Sequence, residues 1–192
     1  MSQNNYGQFN DDDASRYPNS GYGSGQPDPN NNGPQVTCTI SPLNVQSAYA
    51  AFDINYQTQP DYSPGGLQMH VWNPYTPIVK KDLPVSGMLS QANEKITWTQ
   101  SMSLVEGVLK FKVANGQSTT WGQFGGDLHA ITVYTRLTDL SAYDPRVSVQ
   151  NSGVSFASNL VNTLTLKAVR WYDAAGTLIQ EVTTPQQVYP KD

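Results

Sequence analysis

The sequence predicts an all-β protein: an antiparallel two-sheet β-sandwich, jelly-roll-like, over residues 35–192, behind a disordered low-complexity tail over 1–34. Three observations carry this expectation. From Val36 onward about ten short runs alternate apolar and polar side chains with period two, separated by Gly, Pro, Asn and Asp. No comparable stretch carries the 3.6-residue period of an amphipathic helix, which disfavours any βαβ arrangement. Residues 1–34 contain no Val, Ile or Leu, too little apolar surface to offset the entropy of ordering a chain. The roughly 158 residues beyond them suffice to bury about two-thirds of their unfolded surface.

Taken in order, residues 36–40 form the first strand, with Cys38 as a small apolar residue between two threonines. Residues 48–56 follow, with Ala50, Phe52, Ile54 and Tyr56 on one face and Ala51, Asp53 and Asn55 on the other. A polar loop over 57–66 leads to 67–72, where Leu67, Met69 and Val71 oppose Gln68, His70 and Trp72. Asn73-Pro74 ends that strand. Pro77 and Pro84 argue against regular structure through most of 75–93, leaving 85–89 as a short edge strand.

Residues 95–100 and 102–104 read as one bent strand that buries Ile96 and Trp98. The chain turns at Glu106-Gly107 and returns over 108–113 with Leu109, Phe111 and Val113 inward and Lys110 and Lys112 outward. Asn115-Gly116 breaks this strand; Trp121 and Phe124 then sit in a glycine-rich loop before a strand over 128–137. Residues 139–145 suit one helical turn before the proline. Residues 146–150 and 154–157 read as strands flanking the turn Asn151-Ser-Gly153. The longest strand is expected over 161–172, and Asp173-Ala-Ala-Gly176 turns it into 177–183. Pro185 and a polar end close the chain.

Composition excludes several functions. Charged residues make up 14% of the chain, against about 25% in typical domains. The tail holds four aspartates and one arginine, leaving eleven acids against ten bases in the rest. A nearly neutral folded part argues against nucleic acid as a partner, because phosphate neutralisation needs clustered basic surface. Lys80-Lys81 and the Lys110, Lys112 pair are short and read as solvated faces. No apolar run reaches the ~18 residues of a membrane helix, so no membrane partner is expected. No basic n-region followed by an apolar h-region opens this chain, so no secretory signal is expected. The compartment stays open, and the composition is compatible with a secreted or surface protein. One cysteine, Cys38, makes neither an internal disulfide nor a thiolate zinc site. Asp11-Asp-Asp13 lacks the defined turn of a calcium loop. No cofactor or metal is expected.

Catalytic constellations are thin. His70 and His129 are the two histidines, and Asp127 would share a face with His129 if both lay on a strand. No third residue has a sequence reason to join them as a metal ligand, and no G-x-S-x-G elbow presents a nucleophilic serine. A glycan-acting hydrolase would need two carboxylates about 5–10 Å apart. Glu94, Glu106 and the loop aspartates instead fall where surface charges normally go. The chain therefore reads as non-enzymatic, with that hydrolase as the most distant alternative.

The leading expectation is a lectin-like module. Saccharide recognition needs an aromatic platform for the apolar face of a pyranose, and nearby amides or carboxylates for its hydroxyls. Gln68, His70 and Trp72 supply both on one strand face; Trp121, Gln123 and Asp127 supply them in the glycine-rich loop; Trp171 lies opposite the apolar face of its strand. The competing expectation is a self-associating structural subunit of a capsid, filament or surface layer, in which the same aromatics anchor interfaces. Aromatics gathered on one surface favour the module; aromatics spread over two favour the subunit.

Overall fold

A computed structural model of the chain describes residues 33–42, 48–56, 65–73, 76–85, 88–89, 91–150, 152–154 and 160–190. Nearly all of the expected tail, most of the 57–66 loop, Asn151 and the end of the expected 154–157 strand lie outside these residues, as does the Tyr56 side chain. The described chain is almost entirely antiparallel β-structure. Strands β1 (Gly33–Ile40), β2 (Tyr49–Tyr56), β3 (Gly65–Asn73) and β4 (Thr76–Pro84) form one sheet in chain order. Strands β5 (Ile96–Val105), β6 (Val108–Ser118), β7 (Gly122–Phe124) and β8 (Ala130–Tyr134) form a second. Here β6 is central: β5 pairs along one edge, while β7 and β8 share the other, at opposite ends. β1–β4 run as a meander, and the chain passes from the first sheet to the second between β4 and β5.

The two sheets meet across one core. Alternation brings Phe52, Ile54, Leu67, Met69 and Val71 to it from the first sheet, and Leu109, Phe111, Val113, Ile131 and Val133 from the second. Phe52 bridges the layers, its ring 5.5 Å from Trp98 and 6.0 Å from Phe124. The core role expected of Ile96 and Trp98 agrees with their packing against this cluster.

Several expectations change. Pro77 and Pro84 do not prevent a strand: β4 is an edge strand, where a missing ladder donor faces outward. The expected edge strand over 85–89 is absent from its described residues, Met88 and Leu89 lying in a turn. Asn115-Gly116 bulges β6 without ending it. Thr97 faces Gln117 and Thr99 faces Ala114, so two residues share the place opposite Trp98. Asn115 takes the left-handed conformation, at φ 53°, which its short amide tolerates. Gly116 leaves space for Phe124 directly opposite, since a Cβ there would lie 2.4 Å from that ring. The Glu106-Gly107 hairpin stands as expected, with φ of 49° and 74°, the double positive turn that suits strand twist.

Beyond β8 the chain is less regular. The helical turn falls after Pro145 and replaces the expected 146–150 strand: α1 (Pro145–Gln150) starts with proline at its first position. Asp144 caps it, its carboxylate accepting the Arg146 amide at 2.9 Å. The expected 161–172 strand divides into β9 (Leu164–Leu166) and β10 (Val169–Tyr172), which pair with different partners. The hairpin through Asp173-Ala-Ala-Gly176 forms as expected, joining β10 to β11 (Leu178–Val182). Asp173 Oδ1 accepts the amides of Ala175 and Thr177, which fixes the turn. The polar end adds an unforeseen strand, β12 (Gln186–Tyr189), against β9.

Candidate functional site

The side chains that β1–β4 turn away from the core form cross-strand rows. Thr37, Asp53, Gln68 and Asp82 make one; Thr39, Ala51, His70 and Lys80 make the next; Tyr49 faces Trp72 beyond it. Period-two alternation makes this layer polar: on β2 and β3 each row member lies between residues committed to the core.

One end of the layer is closed. Asp53 is only 4% exposed, and Asn55 and Gln68 are likewise buried. The Thr37 hydroxyl donates to Asp53 Oδ1 at 2.6 Å, and the Gln68 amide donates to Asp82 Oδ1 at 2.8 Å. Burial pushes the Asp53 carboxyl up to about 7, against the smaller opposing effect of the Thr37 hydroxyl. At the β1 edge the Thr39 hydroxyl donates to the Ser148 carbonyl of α1, and the Ser152 hydroxyl, which donates to that same carbonyl, accepts the Thr39 amide. Gly153 exchanges two backbone hydrogen bonds with Thr37. The segment after α1 thus covers the flank of the sheet where Asp53 lies.

The other end is open and aromatic. Tyr49 and Trp72 stack with centroids 6.2 Å apart and planes within 14°, and the His70 ring meets Trp72 at 6.4 Å, edge to face. Both rings of the stack are half-buried, and exposed Lys80 faces His70 in the adjoining row. Tyr49 escaped the sequence reading although the alternation that marks Ala51 and Asp53 extends to it. The prolines of β4 hide from sequence the strand that brings Lys80 and Asp82 onto this face.

Of the sequence-predicted residues, His70 and Trp72 come together here; Gln68 lies on the same sheet face but in the closed row, buried and bonded to Asp82. Trp121, Gln123 and Asp127 belong elsewhere: Trp121 packs 5.0 Å from Phe124, which stacks on the core side of Phe52, across the sheet from His70 and Trp72. Gln123 is exposed on β7. Asp127 is solvent-facing, with Lys112 Nζ at 3.6 Å. Trp171 stands on a third part of the molecule, 6.5 Å from Tyr143.

The Trp121 turn has an organiser that sequence reading placed among surface charges. Glu94 accepts the Ser118 hydroxyl at 2.7 Å and the Thr120 hydroxyl at 2.6 Å through Oε1, and the Leu89 amide at 2.8 Å through Oε2. Ser118 Oγ in turn accepts the amides of Thr120 and Trp121. Neither link is visible in sequence, because Glu94 and Ser118 come together only through the β5–β6 pairing.

Asp127 and His129 do not share a face. They occupy a 3₁₀ turn over Gly126–His129, not a strand, so Asp127 points to solvent while His129 is fully buried with its ring edge toward Phe52, 6.0 Å away. Burial holds the His129 pKa below its ordinary value, with the Leu67 backbone opposing. The imidazole is a buried core group turned away from solvent-facing Asp127.

Chemically the open end suits stacking and hydrogen bonding. Asp53 and Asp82 lie two strand spacings apart, about 10 Å, but the enclosed Asp53 offers a substrate no surface. Among the described residues, no group of three His, Cys, Asp or Glu side chains could hold a metal ion, and no helix is long and apolar enough to cross a membrane. A separate cleft of about 240 Å³ lies between α1 and β12, lined by Arg146, Gln150, Gln186 and Gln187 over Val149 and Val188. Compared with protein-family models, curated proteins and solved structures, the chain finds no match.

Proposed function

We propose that this protein is a non-catalytic recognition module that binds carbohydrate at the open end of the β2–β3–β4 outer face. The observation that carries the reading is the Tyr49–Trp72 stack with His70 at its edge. A rigid, half-exposed aromatic surface accepts the C–H face of a pyranose at little entropic cost. Gln68 Nε2, held on Asp82, keeps a nearby row pre-organised, and exposed Lys80, opposite His70, would meet hydroxyl groups at the rim.

The test is a titration of tryptophan fluorescence with a panel of neutral and acidic oligosaccharides. A saturable change in the native protein, abolished in Trp72→Ala and retained in Trp171→Ala, supports the reading. Absence of any response across the panel, or a response untouched by Trp72→Ala, removes it.

The reading as a self-associating subunit draws on a different observation. Aromatic residues lie on more than one surface: Tyr49 and Trp72 on the first sheet, Tyr134 on the outside of the second, Tyr172 on β10. That distribution supports association between copies, and a recognition module that pairs with itself would present two ligand faces at once.

A further inference from the structure

The β10–β11 hairpin stands apart from the core. Every residue from 172 to 187 is exposed, and on β10 half-buried Val169 and Trp171 alternate with exposed Arg170 and Tyr172. Trp171 turns inward to Tyr143. Arg170, Tyr172, Leu178 and Glu181 therefore share the outward face, by alternation along β10 and by the Arg170–Glu181 and Tyr172–Leu178 register, with Ile179 as the extra residue of a bulge. On it Tyr172 is 55% and Leu178 46% exposed, and the Arg170 guanidinium Nε donates to Glu181 Oε1. A two-stranded hairpin with so little support is marginally stable in water, and apolar residues framing an ion pair make it an incomplete interface.

We propose that this outward face docks on the same face of a second copy of the chain across a two-fold axis. The argument for that occupant is charge. The face carries one cation and one anion side by side, so a two-fold axis perpendicular to the line joining them sets each guanidinium against the partner copy's carboxylate, and Tyr172 and Leu178 flank the resulting quartet. The face has no net charge to attract nucleic acid or an anionic membrane, whereas a two-fold interface requires a surface complementary to itself. The contact is small beside the ~800 Å² per partner of a standard interface, so the dimer is a weak one. This inference does not rest on the saccharide reading, since the hairpin and the Tyr49–Trp72 stack are separate.

The experiment is sedimentation of the full chain over a range of concentrations. Native protein is expected to pass from monomer to dimer and stop there. Glu181→Arg leaves two cations on the face and Arg170→Glu two anions; each is expected to remain monomeric alone, and an equimolar mixture to recombine as a heterodimer. Leu178→Ser keeps the ion pair intact and is expected to weaken dimerisation about tenfold or more. Circular dichroism and tryptophan emission establish that each variant is folded. A native protein monomeric to several hundred micromolar, open-ended growth, dimerisation unaltered by either charge reversal, or folded variants that fail to recombine would each overturn the proposal.

Discussion

Asp53→Asn isolates the energetic cost of the one carboxyl enclosed in the polar layer. Asp53 is buried, with the Thr37 hydroxyl on Oδ1, and its pKa rises from 3.8 to about 7. Between these values the native state binds a proton that the unfolded chain releases, so stability falls as pH rises through the interval and levels off above it. At ~1.4 kcal/mol per pH unit, the full effect is about 4 kcal/mol. Asparagine keeps the shape and the acceptor for Thr37 but cannot ionise. The stability difference between Asp53→Asn and the native protein should therefore grow in favour of the variant from pH 4 to pH 7, then stay constant. Any fixed cost of placing the extra amide donor shifts that curve vertically without changing its slope. His129 works the other way: its lowered native pKa makes stability fall as pH drops through the ordinary histidine range. That contribution is common to both proteins and cancels in the difference. The assay is urea unfolding at half-unit pH steps, read by circular dichroism. Parallel stability–pH curves for the two proteins would refute the assignment of Asp53 as a neutral buried acid.

Glu94→Ala removes the acceptor of three hydrogen bonds at the Trp121 turn. A loss of about 2–3 kcal/mol in urea midpoint experiments is expected, with a red shift of Trp121 emission as the turn loosens. Gly116→Ala forces a methyl group into the Phe124 ring and should cost about 1–3 kcal/mol; combining it with Phe124→Leu should recover part of that loss in a double-mutant cycle. Gly125→Ala meets both a φ of 98° and the Val113 carbonyl at 2.8 Å from the added Cβ. Its destabilisation should exceed that of Gly116→Ala, because backbone cannot move aside as a ring can.

Sequence pattern revealed the fold wherever a strand had one face in the core. The alternations through Phe52, Met69 and Phe111 are legible because a one-residue slip would turn every apolar side chain outward. Edge and irregular elements were not. Thr76–Pro84 carries prolines that only an edge position explains, and edge position follows from topology, not from local sequence. The Arg-Val-Ser-Val-Gln run after Pro145 alternates like a strand, yet Asp144 and Pro145 supply a helix start; six residues are too few for a 3.6-residue period to declare itself. Of the candidate site, Gln68, His70 and Trp72 were placed on one face by alternation alone. Tyr49, Lys80 and Asp82 join them through pairings with residues on β3, which no local pattern encodes. The glycine-rich loop misleads for a related reason: Gly116 and Gly125 make room for Phe124 and the Val113 carbonyl, while Gly122 and Gly126 serve turns at positive φ, so its glycines report strand packing and chain reversal.

Two-dimensional NMR of the isotopically labelled chain, titrated with the oligosaccharide that most alters its fluorescence, tests the central claim most directly. The account predicts that the perturbed resonances concentrate on Tyr49, Gln68, His70, Trp72 and Asp82, with Trp121, Gln123, Asp127 and Trp171 unchanged. Perturbations centred on the Trp121 turn or on the cleft between α1 and β12, with the Tyr49–Trp72 face silent, would contradict it.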